Sequence, residues 1–330
     1  MPKISVKEIR NISKTALMQH GALDWIAEEV AEAVSASESV GNRICGLYYL
    51  ESYCEQLLSG RVNGQASPDV KLARSGSVYV DADDGFAQPA FSKGLPEGLK
   101  LAKKNGIASL SIGRSHTCTS LGYFTKKIAE AGFLGLGLTN ASPIVAPPGG
   151  KSRIIGTNPI AFSVPDGKGG VAMQFDQSTT TVALGKITMA KAAGESIPEG
   201  WALDKDGKAT TDPEEAIKGT LVSAGGYKGW GFGLMAEILV AGMTGGRISK
   251  NVAPLKAKDG EPHNLGQFYI IIDPESGASF YNRLEELTAI ISSEEGTRMP
   301  GQYTSPQIEV DVPDELWSLA VSLSKAKHSE

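Results

Sequence analysis

The fold of this chain depends on residues 140–165, NASPIVAPPGGKSRIIGTNPIAFSVP, where glycine and proline recur and no helical or strand period is sustained. Irregular stretches of this length are uncommon inside compact domains and are usually either functional or disordered. Three apolar islands, IVAP, RIIG and IAFSV, favour order. In the GTNPIAF segment a rigid turn would present Thr157 and Asn158 for hydrogen bonding, although an ordinary Asx turn explains these residues equally well.

Outward from this stretch, hydrophobic periodicity predicts regular elements on both sides. Three helices are expected in residues 1–60, and Gly60 ends the third. Strands are predicted at SVYVDA (77–82), IASLSI (107–112), LGLGLTN (134–140), VAMQFD (171–176) and FYIIIDP (268–274). Further helices are predicted at about 95–104, in TDPEEAIKG (211–219), in GFGLMAEILVAGM (231–243) and from about Asp314 onward. The elements alternate only loosely, and no fixed-period repeat is present.

The composition is that of an ordinary globular protein. The chain has 330 residues, of which 41% are hydrophobic and 21% charged, and its net charge is −5. This length suits two or three subdomains, and the charge balance gives no reason to expect nucleic acid or a membrane as a partner. No apolar run is long enough to cross a bilayer, and no secretory signal is visible. Three cysteines, Cys45, Cys54 and Cys118, form no disulfide framework, so a reduced cytoplasmic protein is expected, with Cys54 in the core.

Several common nucleotide and catalytic motifs are absent from the sequence. Gly135 and Gly137 are not followed by a third glycine at the Rossmann spacing. There is no Walker motif, no serine-hydrolase elbow, and no HExxH or paired His/Cys cluster, so no metal site is expected. Any nucleotide would therefore bind through other loops.

Two further loops have the residue types that bind phosphate or ribose. FDQSTTT (175–181) ends a strand in an aspartate and continues with hydroxyls, although a plain helix cap accounts for the same pattern. AGGYKGWGFG, which begins at Ala224, places bare backbone N–H groups and Lys228 at a helix start. Close helix packing is the alternative explanation for its glycines.

His116, in GRSHTCTSLGY (113–123), is one of four histidines and the only one in a dense loop that directly follows a predicted strand. An imidazole in such a loop is a candidate proton donor or acceptor.

Taken together and in order, these segments resemble the malate/L-lactate dehydrogenase-like family of NAD(P)H oxidoreductases. The resemblance covers nearly the whole chain and rests on NASPIVAPPGGKSRIIGTNPIAFSVP, FDQSTTTVALGKI, IPEGWALDKDG, GGYKGWGFGLMAEILVAGMTGG and RMPGQ. Within the family, DADDGFAQPA and GTNPIAF are most similar to the Δ1-piperideine-2-carboxylate/Δ1-pyrroline-2-carboxylate reductases, which reduce a cyclic imino acid.

The resemblance implies an α/β (α+β) fold that binds NAD(P) without a Rossmann motif, on a mixed, mostly antiparallel sheet with a helical N-terminal region. It implies a homodimer whose site lies in an interdomain cleft. The implied segments are a helical N-terminal region (1–75), a core and dimerisation domain in two parts (76–120 and 265–330) and an NAD(P)-binding domain (121–264).

The resemblance also implies the cofactor, NADPH or NADH, with NADPH favoured, and the residues that hold it. The implied cofactor-binding residues are Asn140, Ser178, Thr179, Thr180, Lys228, Gly229, Gly301 and Gln302.

The chain departs from the family pattern at its expected catalytic positions. In GNRICGLYYL (41–50), Cys45 stands at the usual histidine position and Tyr49 at the usual arginine position. Thr117 aligns with the second family histidine, and His116 stands one residue earlier. The catalytic candidates are Asp176, which matches the family aspartate, and His116, Thr117 and Cys45. The substrate-binding candidates are Arg43, Arg114, Tyr49, Thr157 and Asn158.

Chemistry favours an imine substrate for such a site. Reduction of a ketone leaves an alkoxide that needs a proton, whereas an imine can bind already protonated and needs only a carboxylate that favours the cation. A reductase of a small cyclic imino acid is therefore expected. A malate/L-lactate-type 2-hydroxyacid (keto acid) dehydrogenase and a cofactor-binding member without catalysis remain alternatives. The sequence does not distinguish the ring size, NADP from NAD, or the physiological direction.

Overall fold

The computed structural model describes residues 1–302 and 305–325. The strands in this part of the chain are β1 (Lys3–Ser5), β2 (Asp69–Arg74), β3 (Ser77–Asp81), β4 (Ile107–Ser115), β5 (Leu134–Thr139), β6 (Ile160–Pro165), β7 (Val171–Gln177), β8 (Ala202–Leu203), β9 (Ala209–Thr210), β10 (Thr220–Leu221), β11 (Leu265–Ile272) and β12 (Glu309–Asp311). The α-helices are α1 (Val6–Gln19), α2 (Asp24–Ser39), α3 (Leu50–Ser59), α4 (Ala87–Asn105), α5 (Leu121–Glu130), α6 (Leu184–Ala193), α7 (Pro213–Lys218), α8 (Tyr227–Thr244), α9 (Phe280–Ser292) and α10 (Asp314–Lys325).

A seven-stranded sheet in the order β2-β3-β4-β11-β5-β6-β7 forms the centre of the fold. Only β3 and β4 run parallel, joined by the crossover helix α4, and every other neighbouring pair in this sheet is antiparallel. The predicted mixed, mostly antiparallel sheet without a Rossmann arrangement is confirmed.

Helices cover both faces of the sheet. Because side chains alternate along a strand, Tyr269 and Ile271 of β11 face α4 and α5, whereas Phe268 faces Val240 of α8. The approach of α4 is close: a Cβ on Gly94 would lie 2.5 Å from a methyl carbon of Val80. This three-layer arrangement positions the loops that follow β4 and β7.

The N-terminal helices have a core of their own. Ile9, Val30, Leu50 and Cys54 are buried in it, and α10 at the other end of the chain packs into the same cluster through Ala320. The prediction that Cys54 packs in the core is confirmed. The four domain segments drawn from the resemblance stay a prediction.

The irregular stretch that follows β5 is ordered. Val145 bridges both Ile155 and Leu221, and all three side chains are buried in a small cluster with α6, α7 and the β8–β10 sheet. The apolar islands therefore correctly indicated order.

The predicted helix boundaries were less accurate. Helix α4 begins at Ala87, eight residues before the predicted start near 95, and it contains Pro96. Periodicity did not reveal α6 or α9. No helix in the described part of the chain combines the length and apolar character that crossing a membrane requires.

Candidate functional site

A cleft of about 590 Å³ opens between the end of α2, the start of α5 and strand β7. Asn42, Ser120, Gln174 and Asp176 contribute polar groups to its wall. A second cleft of about 390 Å³ begins at the next residue of β7 and is lined by Gln177, Ser178, Thr180, Lys186 and Trp201, among others. Asp176 and Gln177 are adjacent in β7, so their side chains point to opposite faces of the strand, and each lines one of the two clefts.

Asp176 lies in the wall of the first cleft. Its Oδ2 accepts a hydrogen bond from the Gly122 N–H at 2.7 Å, at the N-terminus of α5, and one from the Ser120 hydroxyl at 3.4 Å. Burial raises the pKa of the Asp176 carboxyl, and these hydrogen bonds oppose the rise. The approach requires Gly122, since a Cβ there would lie 2.9 Å from the Cβ of Asp176. Asp176 thus caps a helix and also faces the cleft.

Three loops converge around this end of β7, and we call residues 175–181, 224–233 and 300–302 the cofactor loops. The Ala224 N–H donates to the Thr179 carbonyl at 3.0 Å, and the Gln174 N–H donates to the Pro300 carbonyl at 3.0 Å. The structure therefore brings together segments that are far apart in the sequence.

The glycines of the cofactor loops permit close backbone approaches. A Cβ on Gly229 would lie 2.1 Å from the Ala224 carbonyl oxygen, and one on Gly301 would lie 2.9 Å from that of Gln174. Lys228 is exposed in the first turn of α8. Gly301 and Gln302 line the first cleft, whereas Ser178 and Thr180 line the second.

These features fit a dinucleotide. The start of α8 offers free backbone N–H groups and a lysine for phosphate, and Ser178 lines the second cleft. Thr180 also lines that cleft, but its hydroxyl is bound to the Val182 carbonyl at 2.8 Å. Thr179 turns away: its hydroxyl donates to the Thr157 carbonyl at 3.0 Å. The described residues contain no group of three His, Cys, Asp or Glu side chains placed to hold a metal ion.

Asn140 and Asn158 are buried below the cofactor loops and are hydrogen-bonded to one carboxylate, Glu237 of α8. Asn158 donates to Glu237 Oε2 at 2.7 Å, and Asn140 donates to Oε1 at 3.5 Å. Ser249 adds its N–H and hydroxyl, each at 2.5 Å. Asn158 also adopts a left-handed conformation, with φ of 36°. Their surroundings indicate that these asparagines hold the loops in place, and that Thr157 contributes through its backbone.

Residues 42–49 and 116–120 form what we call the substrate end. Asn42 donates to Ser120 Oγ at 3.5 Å and also hydrogen-bonds the Cys45 thiol. Burial, with a smaller contribution from the nearby Asp176 carboxylate, raises the pKa of Cys45 to about 12. The thiol is therefore protonated at neutral pH and is a poor nucleophile. Burial also raises the pKa of Tyr49.

His116 lies behind this wall, not in the cleft. Only 2% of its surface is exposed, and it stacks on His263 with ring centres 4.0 Å apart. Nε2 donates to Gln56 Oε1 at 2.5 Å; that oxygen can only accept, because the Gln56 amide nitrogen donates to the carbonyls of Leu255 and Ala257. Burial first, and then His263, lower the pKa of His116 well below its usual value. The geometry gives this imidazole a neutral, structural environment.

The remaining candidates differ in their accessibility. Thr117 is buried, and its N–H donates to His263 Nδ1 at 3.2 Å. Arg114 is bound to carboxylates, with 2.6 Å to Asp84 and 3.1 Å to Asp81, away from the residues that line the cleft. Arg43 is exposed on the short 3-10 helix that contains Cys45.

Sequence reasoning missed several residues that build the site. Glu237 had a visible signal, a lone carboxylate inside a long apolar helix, which is costly to bury unless it is hydrogen-bonded. Asn42 and Ser120 had none, because their role depends on a contact across 78 positions of the chain.

The sequence of this chain is similar to those of known dehydrogenases and reductases. A family model described as "Malate/L-lactate dehydrogenase" matches residues 4–309. The (2R)-3-sulfolactate dehydrogenase (NADP(+)) of Chromohalobacter salexigens is 36% identical, over 97% of this chain and 98% of that protein. The Δ1-pyrroline-2-carboxylate/Δ1-piperideine-2-carboxylate reductase of Pseudomonas putida is 33% identical, over 93% of this chain and 91% of that protein.

A solved structure shows the same architecture. The Δ1-piperideine-2-carboxylate reductase of Pseudomonas syringae pvar. tomato superposes with a TM-score of 0.91 at 29% identity, over 98% of this chain and 100% of that chain.

Proposed function

The chain belongs to the malate/L-lactate dehydrogenase family of NAD(P)-dependent oxidoreductases, and from that premise we propose that it reduces a small cyclic imino acid. The substrate would be Δ1-pyrroline-2-carboxylate or Δ1-piperideine-2-carboxylate. NADPH or NADH supplies the hydride when bound, and NADPH is our preferred cofactor.

One observation carries this proposal: the first cleft presents the carboxyl of Asp176, which belongs to the cofactor loops, while the imidazoles of His116 and His263 are buried behind its wall. An imine that binds as an iminium cation already holds its proton, and a carboxylate favours that cation. Hydride addition at the C=N carbon then neutralises the cation and yields the amine. No side chain has to donate a proton in that step, which suits a site whose thiol and imidazoles are poor acids.

The residues proposed for the cofactor are those of the cofactor loops. Backbone N–H groups at the start of α8 with Lys228 would bind phosphate, and Ser178 and Thr180 would bind along the second cleft. Gly301 and Gln302 would border the nicotinamide end, since they line the first cleft with Asp176.

A second candidate is a 2-hydroxyacid dehydrogenase. It is favoured by the 36% identity to a sulfolactate dehydrogenase, which exceeds the identity to the imino-acid reductase of Pseudomonas putida. Such an enzyme must protonate an alkoxide, and the site would then need an acid that the buried imidazoles do not supply.

The test is a substrate panel followed at 340 nm with NADPH and with NADH. Δ1-pyrroline-2-carboxylate, Δ1-piperideine-2-carboxylate, pyruvate, oxaloacetate and 3-sulfopyruvate are compared by kcat/KM. We expect the two cyclic imines to be the best substrates. Faster turnover of any 2-oxo acid would overturn the proposal in favour of the second candidate, and cofactor binding without any turnover would indicate a non-catalytic member.

We also propose that the protein forms a homodimer through α8. One face of this helix packs on the sheet, but Tyr227, Phe232, Ile238 and Met243 on its other side are 52–72% exposed. Apolar patches of this kind commonly mark interfaces. Sedimentation velocity is expected to show a dimer that Ile238→Asp weakens; a monomeric wild type would contradict this.

A cytoplasmic location stays a prediction, which the three free cysteines support.

A further inference from the structure

Lys256, in the segment before β11, brings an ammonium group to the substrate end. Its Nζ lies 3.3 Å from the centre of the Tyr48 ring and 4.4 Å from that of Tyr49, and it donates to the Tyr48 carbonyl at 2.9 Å. Two aromatic faces and a carbonyl hold the cation in place. Tyr49 is the residue at the position where the resemblance leads one to expect an arginine.

No carboxylate in the described part of the chain lies within ion-pair distance of Lys256. Its neighbour Lys258 differs, since its ammonium pairs with Glu55 at 2.5 Å. Burial lowers the pKa of Lys256 to about 8, while the charge of Glu51 opposes this. A partly buried cation without a carboxylate partner is suited to bind an anion that arrives with the substrate.

Lys256 and Asp176 both act on one residue, Cys45. The Asp176 charge raises the pKa of that thiol, and the Lys256 charge lowers it. On the Asp176 side, Asn42 donates a hydrogen bond to Ser120, and Ser120 donates one to Asp176; all three residues line the cleft. On the other side, the Lys256 ammonium lies over the ring of Tyr49, four residues after Cys45, and the Cys45 thiol is hydrogen-bonded to Asn42 in the wall of the cleft.

We propose that Lys256 binds the carboxylate of the substrate, with the imino nitrogen directed towards Asp176. This inference rests on the proposed function and names the group that recognises the acid part of the substrate. An iminium carboxylate is a zwitterion, and its two charges match Asp176 and Lys256. Arg114 is already bound to Asp81 and Asp84, so it is not free for this role.

The first experiment compares four variants by steady-state kinetics with NADPH and each cyclic imino acid. Lys256→Met is expected to raise KM about 10- to 100-fold, the range that follows from losing a hydrogen bond to a charged group. The effect on kcat should be smaller, and Lys256→Arg should recover part of the loss. Lys258→Met is the matched control and should leave both constants unchanged. Arg43→Met tests the rival anchor.

A second experiment does not depend on turnover. Pyrrole-2-carboxylate and pyrrole are compared as ligands of the protein loaded with NADP⁺, by the shift in thermal unfolding. The wild type should be stabilised by the carboxylate only, and Lys256→Met should lose that shift while Lys258→Met keeps it.

The two proposals fail in different ways. Turnover of 2-oxo acids alone overturns the imine reductase, and the anchor is then judged on the KM of the oxo acid, which has the same carboxylate. An unchanged KM and an unchanged carboxylate shift in Lys256→Met overturn the anchor, whichever substrate is turned over. A rise in KM confined to Arg43→Met also overturns it.

Discussion

The cofactor loops and the substrate end are built by different means. Backbone hydrogen bonds and glycine contacts hold the cofactor loops together, as in the Thr179–Ala224 pair and at Gly229. At the substrate end the contacts are made by side chains: Asn42 hydrogen-bonds Ser120, and Lys256, from another segment, lies over the Tyr49 ring. Backbone geometry tolerates few substitutions, whereas a side-chain charge can be supplied from a different part of the chain.

The largest effect is expected where a buried carboxylate supports the cofactor side. Glu237→Ala should lower the free energy of unfolding by about 3–5 kcal/mol, because Asn140, Asn158 and Ser249 lose a shared buried partner. Urea unfolding measures it, with Glu285→Ala, at an exposed carboxylate of α9, as the control. A loss below about 1 kcal/mol, the range of ordinary surface changes, would mean that the network does not hold these loops.

A smaller effect is expected at Gly229, where the backbone of Ala224 lies close, than at Glu237. A glycine without such a neighbour should show no effect. Gly229→Ala places a Cβ against the Ala224 carbonyl, and this overpacking should lower the free energy of unfolding by about 1–3 kcal/mol. Gly231→Ala is the control, since nothing lies within 4 Å of its Cβ. Urea unfolding gives both free energies, and equal values for the two variants would refute the contact argument.

The loss of stability at acid pH tests whether His116 and His263 are buried in their neutral form. Burial lowers the pKa of His263 to about 3 and that of His116 well below its usual value. Their unfolded pKa is about 6.5, so their contribution to stability is fully present above that pH and is lost as the pH falls towards 3. The slope is about 1.4 kcal/mol per pH unit for each histidine.

In that window His263→Asn, whose amide oxygen can still accept the Thr117 N–H, should have a shallower slope than the wild type in urea unfolding. Identical slopes would show that the buried pair does not resist protonation.

His116→Gln should keep kcat within about threefold of the wild-type value, a change of less than 1 kcal/mol in the activation barrier. A loss of about 100-fold or more, at unchanged stability, would restore His116 as the catalytic acid.

The smallest effect is expected at Arg114, a sequence-based candidate for substrate binding. Arg114→Gln removes partly exposed ion pairs with Asp81 and Asp84, each worth about 0–1 kcal/mol. KM for the imino acid should therefore stay within about threefold of the wild-type value. A larger rise, measured beside Lys258→Met, would place Arg114 in the site.

Much of the fold was predictable, because its signals are local. Alternation located β3, short apolar runs located β4, β5, β7 and β11, and Gly60 ends α3 in a left-handed conformation, as its position predicted. The start of α4 was not, since Pro96 and two glycines hide a helix that packs closely on the sheet. The sheet type and the cofactor loops came from motif order, which carries long-range information that periodicity lacks.

The amino-acid sequence by itself determined the family, the NAD(P)-dependent chemistry and the mixed sheet, since loop motifs in a fixed order specify the backbone that binds a dinucleotide. Tertiary structure alone decided which candidate side chains reach the cleft. His116 and Thr117 are within four positions of Ser120 in the sequence. They are buried, whereas Ser120 lines the cleft with Asp176. Conversely, Lys256 is more than 200 positions from Tyr49 and lies over its ring. Burial and contact at a distance are properties of the folded chain, because they depend on which segments the sheet brings together.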